Sequence, residues 1–118
     1  MDNAQLLKGV LEGCVLAIIA KGETYGYEII GALEQAGFEG IGEGTLYPVL
    51  TRLNKNELIQ CRHAKSPLGP IRKYYSISEA GTAALMDFRQ RYLKISRSAA
   101  TLLFEDAPAA VQEGDGLL

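Results

Sequence analysis

The sequence predicts a mainly α-helical protein with one small β-hairpin, a winged helix-turn-helix followed by a long C-terminal dimerisation helix. Three observations predict it: three stretches with helical apolar spacing come first, two short strand-like runs flank a cluster of turn formers, and a heptad pattern follows.

Residues 4–20 read as a first helix, because Leu7, Leu11, Cys14 and Ile18 recur at helical spacing and Leu6, Val10, Val15 and Ile19 broaden the stripe. A face that wide exceeds what one side of a small domain needs, so a second partner is expected. Gly9 and Gly13, four apart, would let another helix come close. After the turn Lys21-Gly22-Glu23, Thr24 is expected to cap a second helix reaching Ala36, with Ile29, Ile30 and Leu33 inward. Gly37, Gly40 and Gly42 end it. A third helix starts between Glu43 and Thr45 and runs to Asn56, with Pro48 expected in its first turn, where a missing N–H is cheap. Leu46, Val49, Leu50 and Leu53 then face inward, while Tyr47, Thr51, Arg52 and Lys55 project from the other side.

Residues 58–63 and 71–77 read as two strands around the turn-rich run 64–70, which carries Pro67, Gly69 and Pro70. Alternation places Ile59 with Cys61, and Tyr75 with Ile77. Ser78 caps a final helix ending near Phe104. Gly81, Leu85, Phe88, Tyr92, Ile95, Ala99 and Leu102 repeat at alternating steps of four and three, a heptad seam. At 1.5 Å per residue that helix is roughly 40 Å long, more than so small a domain can cover, so a second copy of the chain is expected against it. The resulting division is a winged helix over residues 1–77, a dimerisation helix over 78–106 and a disordered acidic tail over 107–118.

With 118 residues, 47% hydrophobic and 22% charged, the chain fits one globular domain. Lys8, Glu12 and Lys21 interrupt its most apolar stretch, which excludes a membrane span. The start Met1-Asp2-Asn3-Ala4-Gln5 does not resemble a secretion signal, and two cysteines without regular spacing fit a reducing compartment, so a cytoplasmic home is expected. The net charge is −2, yet between Arg52 and Arg97 ten cations stand against three anions. Such a segment is either a solvated face or a phosphate-facing surface.

Element order decides between them. Helix, helix, helix and hairpin is the winged-helix order, in which the third helix enters a DNA major groove about 12 Å wide and the hairpin reaches alongside. Tyr47, Thr51 and Arg52 then face the groove, with Lys65, Arg72 and Lys73 on or beside the wing, so the basic segment coincides with the expected DNA face. The expected contacts are Thr45, Tyr47, Thr51, Arg52, Lys55, Arg72 and Lys73. The dimer interface is expected at Leu7, Leu11, Cys14, Ile18, Leu85, Phe88, Tyr92, Ile95 and Leu102.

Three runs in order, YGYEI (25–29), GTLYPVLTRLNKNELI (44–59) and RKYYSISEAG (72–81), resemble the PadR family of bacterial transcriptional regulators, over residues 6 to about 104. The length is similar to that of members with a single C-terminal helix. The resemblance implies a homodimeric repressor whose first and last helices pack across the interface, and release from DNA by a small aromatic or lipophilic compound. The family's LYP motif falls on Leu46, Tyr47 and Pro48. Tyr25 matches a tyrosine whose hydroxyl reaches a phosphate, and Arg72 and Lys73 match the basic start of the second wing strand. Two features depart from the family pattern: Pro67 and Pro70 replace a glycine-rich basic tip, and there is no tryptophan, Tyr92 standing at the ligand-stacking position. Phe88 and Tyr92 are therefore either dimer core or a ligand site.

Other chemistry is poorly represented. Cys61 and His63 lack the further ligands a structural zinc needs, so neither a metal nor any other cofactor is expected. His63 is the single histidine and has no triad arrangement, and no Gly-Lys-Ser/Thr follows Gly40, Gly42 and Gly44, so an enzyme is not expected. The alternative is a winged helix used for protein contacts without DNA, which would not need Thr51, Arg52, Lys55, Arg72 and Lys73 on one side.

Overall fold

The computed structural model describes residues 3–105; the predicted tail, 107–118, lies outside them. In chain order the elements are α1 (Asn3–Leu7), α2 (Val10–Ala20), β1 (Thr24–Tyr25), α3 (Gly26–Ala36), α4 (Glu43–Lys55), β2 (Ile59–Lys65), β3 (Ile71–Ile77) and α5 (Glu79–Leu103). The chain falls into two compact units, one ending at Leu85 and one beginning at Met86.

In the first unit α2 packs against α3, α4 and β3, and the core gathers Val15, Ile19, Ile29, Leu33, Leu46 and Leu50. The predicted inward set of α4 is buried throughout: Leu46, Val49, Leu50 and Leu53. Spacing of three and four puts these side chains on one stripe, and water exclusion from that stripe is what holds a short helix in place.

Two predicted helices begin differently. The single helix over 4–20 is broken at Lys8-Gly9, because Gly9 takes a left-handed φ of 108° that only glycine adopts freely. Thr24 caps nothing through the backbone: it pairs with Tyr75 in β1, and its hydroxyl donates to Glu28 Oε1 at 2.6 Å.

The hairpin has the expected strands, and β1 adds a third, giving the order β1-β3-β2, all antiparallel. Register pairs Cys61 with Tyr75, Arg62 with Tyr74 and Ala64 with Arg72. Its tip is a tight turn: Gly69 N–H donates to the Ser66 carbonyl and Ser66 N–H donates to the Pro70 carbonyl.

At the C-terminal end of α4, Glu57 holds a left-handed φ of 60° while Leu58 N–H reaches back to the Leu53 carbonyl, closing the helix. Ser78 caps α5 as predicted, accepting from Gly81 N–H at 3.0 Å and donating to the Glu57 carbonyl at 2.7 Å. Gly81 and Leu85 are buried, and a methyl group on Gly81 would collide with the Leu58 carbonyl. The first two turns of α5 therefore belong to the first unit, where the sequence places the domain boundary after Ile77. In the second unit Tyr92, Ile95, Leu102, Leu103 and Phe104 are exposed.

Candidate nucleic-acid interface

Helix α4 is the centre of the site, and its faces are set by spacing. Glu43 and Tyr47, four apart, share one face; Thr45, Pro48 and Arg52 share another. Leu46, Val49, Leu50 and Leu53 anchor the helix, so both faces stand at fixed angles to the body.

The first face opens on a cleft of about 650 Å³ between the start of α3, α4 and the start of β3 on the tip side of the hairpin. Tyr25, Tyr47, Arg72 and Lys73 line it, so the structure brings these four sequence-predicted residues together. Tyr47 is positioned by a small neighbour: the side chain that Gly26 lacks would lie 3.1 Å from the Tyr47 hydroxyl. The cleft also includes Glu43, Tyr27 and Ile71, none of them predicted. Tyr27 is 80% exposed and lies two residues from Tyr25, in the same motif. Glu43 reads in the sequence only as a helix start, and its carboxylate among the cations is visible only once the fold places it.

On the second face Thr45, Pro48 and Arg52 border a smaller hollow of about 180 Å³ with Leu7, Lys8 and Glu12. Arg52 Nε lies 3.5 Å from Glu12 Oε2, so the principal predicted base reader is tethered to α2. Pro48 is the sixth residue of α4 rather than in its first turn. It has no N–H to give the Gly44 carbonyl, and its ring crowds that carbonyl. Thr51 and Lys55 lie between the two faces and are exposed. The Thr51 hydroxyl donates to the Tyr47 carbonyl at 2.9 Å, which turns it back toward the helix.

The sheet has two chemically different faces, since alternation sends Arg72 and Tyr74 one way and Lys73 and Tyr75 the other. On the inner face Tyr75 is buried, and burial, helped by nearby Cys61 and Tyr47, has pushed its pKa up to about 12. It remains a neutral packing phenol. On the outer face the Arg72 guanidinium lies 3.9 Å from the Tyr25 ring centroid. Tyr25 meets Tyr74 edge-on at 5.8 Å, and Arg62 lies 4.9 Å over Tyr74. Arg62 in turn makes two 2.6 Å hydrogen bonds to Glu23. That pairing holds the Glu23 carboxyl below the usual range.

These pairings redistribute the basic segment. Arg52, Arg62 and Arg91 are in ion pairs with Glu12, Glu23 and Asp87, while none of the three ion pairs among the described residues involves Arg72, Lys73 or Lys55.

The predicted dimer residues divide in two. Leu11 and Leu85 are buried in the chain's own core, at 5% and 4% exposure, with Leu7, Cys14 and Ile18 packed partly against it. Burial also pushes the Cys14 thiol up. Tyr92, Ile95 and Leu102 remain exposed on α5. Phe88 stacks on Tyr92, ring centroids 6.1 Å apart at 21°.

A helical core with an anchored third helix and a hairpin beside it is the arrangement of a winged-helix regulator. The profile of the Transcriptional regulator PadR-like family matches residues 15–87, and the chain belongs to that family. It is similar to a Streptococcus transcriptional regulator at 44% identity, covering 85% of this chain and 98% of that one with a TM-score of 0.74. A PadR-like transcriptional regulator from Bacillus cereus is 45% identical, with coverage of 84% and 96% and a TM-score of 0.74. Bacillus subtilis PadR in complex with operator DNA is 26% identical over 67% of this chain and 46% of that one, with a TM-score of 0.61. The chain is thus a transcriptional regulator of the PadR type rather than an enzyme. Among the described residues no helix is long and apolar enough to cross a membrane.

Proposed function

We propose that the chain is a cytoplasmic, homodimeric, sequence-specific DNA-binding repressor, with α4 in the major groove and the hairpin beside it. The observation that carries this reading is the cleft in which Tyr47 of α4 stands beside Arg72 and Lys73 of the wing. Groove-reading helix and phosphate-binding strand thereby share one surface, and a relative of the same fold is solved on operator DNA. Arg72 and Lys73 take phosphates, which position the protein; Tyr47, Thr51 and Arg52 meet base edges, which specify the site. Thr45, Pro48 and Lys55 border that contact, and a chain of α5 residues, Tyr92, Ile95 and Leu102, gives the dimer its seam. The stacked Phe88–Tyr92 pair offers a flat aromatic or lipophilic effector a surface on which to bind and relieve repression.

Selection of duplexes from a random pool tests this. The expected winner is a two-fold symmetric site whose half-sites lie roughly 34 Å apart or a multiple of that. Arg52→Ala and Tyr47→Ala should each weaken binding by about 1–3 kcal/mol, read by fluorescence anisotropy at fixed salt. No enrichment, or binding indifferent to salt, would return the chain to a protein-contact module.

A further inference from the structure

We propose that Tyr25 acts on DNA through Arg72 and not through its own hydroxyl. Its ring is the platform that holds the Arg72 guanidinium where a backbone phosphate enters the cleft. The inference rests on the DNA-binding reading above and assigns a role within the same surface.

The geometry points this way at each step. Arg72 is half-buried, lines the open cleft, and lies 3.9 Å from the Tyr25 centroid, inside the distance at which a cation and an aromatic face attract. A guanidinium held over a ring face by its central carbon can keep N–H groups free for a bidentate contact, and on DNA the anion that accepts one is the backbone phosphate. The platform itself is fixed. Tyr25 is paired with Tyr74 through the β1–β3 ladder and meets its ring edge-on at 69°. Tyr74 carries Arg62 on its face, and Glu23 clamps Arg62 with two hydrogen bonds. The result is a continuous stack in which Glu23 and Arg62 neutralise each other at one end and Arg72 presents its charge at the other. Arg62 is therefore part of the scaffold, although the sequence counts it among the cations of the DNA face. Tyr25 is a positioning residue and Arg72 the contact.

Binding to a short random-sequence duplex suffices as the probe, because phosphate contacts carry no sequence information. Arg72→Ala should flatten the dependence of log K on log salt by about 0.9 for each phosphate it no longer neutralises. Tyr25→Leu should weaken binding about fivefold and move the slope toward that of Arg72→Ala, and Tyr25→Phe should restore both. The double variant Tyr25→Leu/Arg72→Ala should bind no more weakly than Arg72→Ala alone. In the free protein, the Arg72 Hδ resonances should be shifted upfield by the ring in the native and Tyr25→Phe chains and not in Tyr25→Leu. If Tyr25→Phe weakens binding as much as Tyr25→Leu, the hydroxyl is the contact and the platform is refuted; if the effects of Tyr25→Leu and Arg72→Ala add, Tyr25 does not act through Arg72 and the platform is refuted as well. If Arg72→Ala leaves affinity and slope untouched while the ring shift is present, the DNA face lies elsewhere and the proposal falls with it. Should Tyr25→Leu fail to fold, Tyr25→Phe and the ring shift still decide.

Discussion

The two units of the chain treat apolar residues in opposite ways. In α2, α3 and α4 the apolar stripes are turned into the chain's own core: Val15, Ile29, Leu46 and Leu53 are fully buried. From Met86 onward, α5 has the same kind of residue at the same spacing and leaves it in water, with Ile95 at 67% and Leu102 at 75% exposure. One pattern thus serves two purposes. Periodicity reports only that a face wants to be covered; whether the cover is the chain's own body or another molecule depends on what lies within reach.

The largest effect should separate the two units directly. Leu85→Arg places an unpaired charge in the body's own core and should cost at least about 3 kcal/mol in denaturant unfolding. Ile95→Arg meets solvent within its own chain, so the body's stability should stay within about 0.5 kcal/mol while the sedimentation coefficient falls. Equal destabilisation by both would erase the contrast.

Next is the start of α5, within the first unit. Gly81→Ala should destabilise by about 1–3 kcal/mol, because a methyl group there must displace the Leu58 carbonyl. Gly31 in α3 has open space at the same position, so Gly31→Ala should instead gain about 0.5–1 kcal/mol from helix propensity. Paired thermal melts of these two variants would show whether packing or propensity governs.

A gain of similar size should come from Glu57→Gly, since Glu57 holds a left-handed φ of 60° that glycine reaches without strain. About 1 kcal/mol of added stability is expected, and a decrease would mean that the glutamate side chain does something there besides adopt the turn. The smallest effect concerns pH. Glu23 titrates lower in the folded chain than its ordinary value of 4.5, so its stabilising contribution is complete above that value. It is lost as pH falls through the folded-state pKa, and Glu23→Gln should flatten acid unfolding in that window alone.

The α4 core stripe, the hairpin and the Ser78 cap were legible in the sequence because each is local, depending on residues three or four apart, on alternation, or on one hydroxyl. Thr24-Tyr25 was not legible as a strand. Two residues have no period, and their partners Tyr74 and Tyr75 lie some fifty positions on. The break at Gly9 hid for the opposite reason, since the apolar stripe runs on either side of it. In the candidate site, Tyr47 and Arg72 could be named from element order, but not the company they keep. Nothing near Arg52 or Arg62 in sequence announces Glu12 or Glu23, and ion pairs between distant elements have no sequence period at all. Counting cations therefore overstated how much positive charge the surface presents.

The short strand β1 also divides the wing along its length. β3 is bonded on both sides only at Tyr74 and Tyr75; from Lys73 to the tip it has β2 alone. Amide hydrogen exchange should record that step. The β3 amides at the double-sided root should exchange as slowly as the body opens, and those toward Ile71 should exchange by fraying of a two-stranded ribbon that three-stranded pairing does not reach. The wing is in this sense a lever with a welded root and a free end, and the weld falls one residue from Lys73 and two from Arg72.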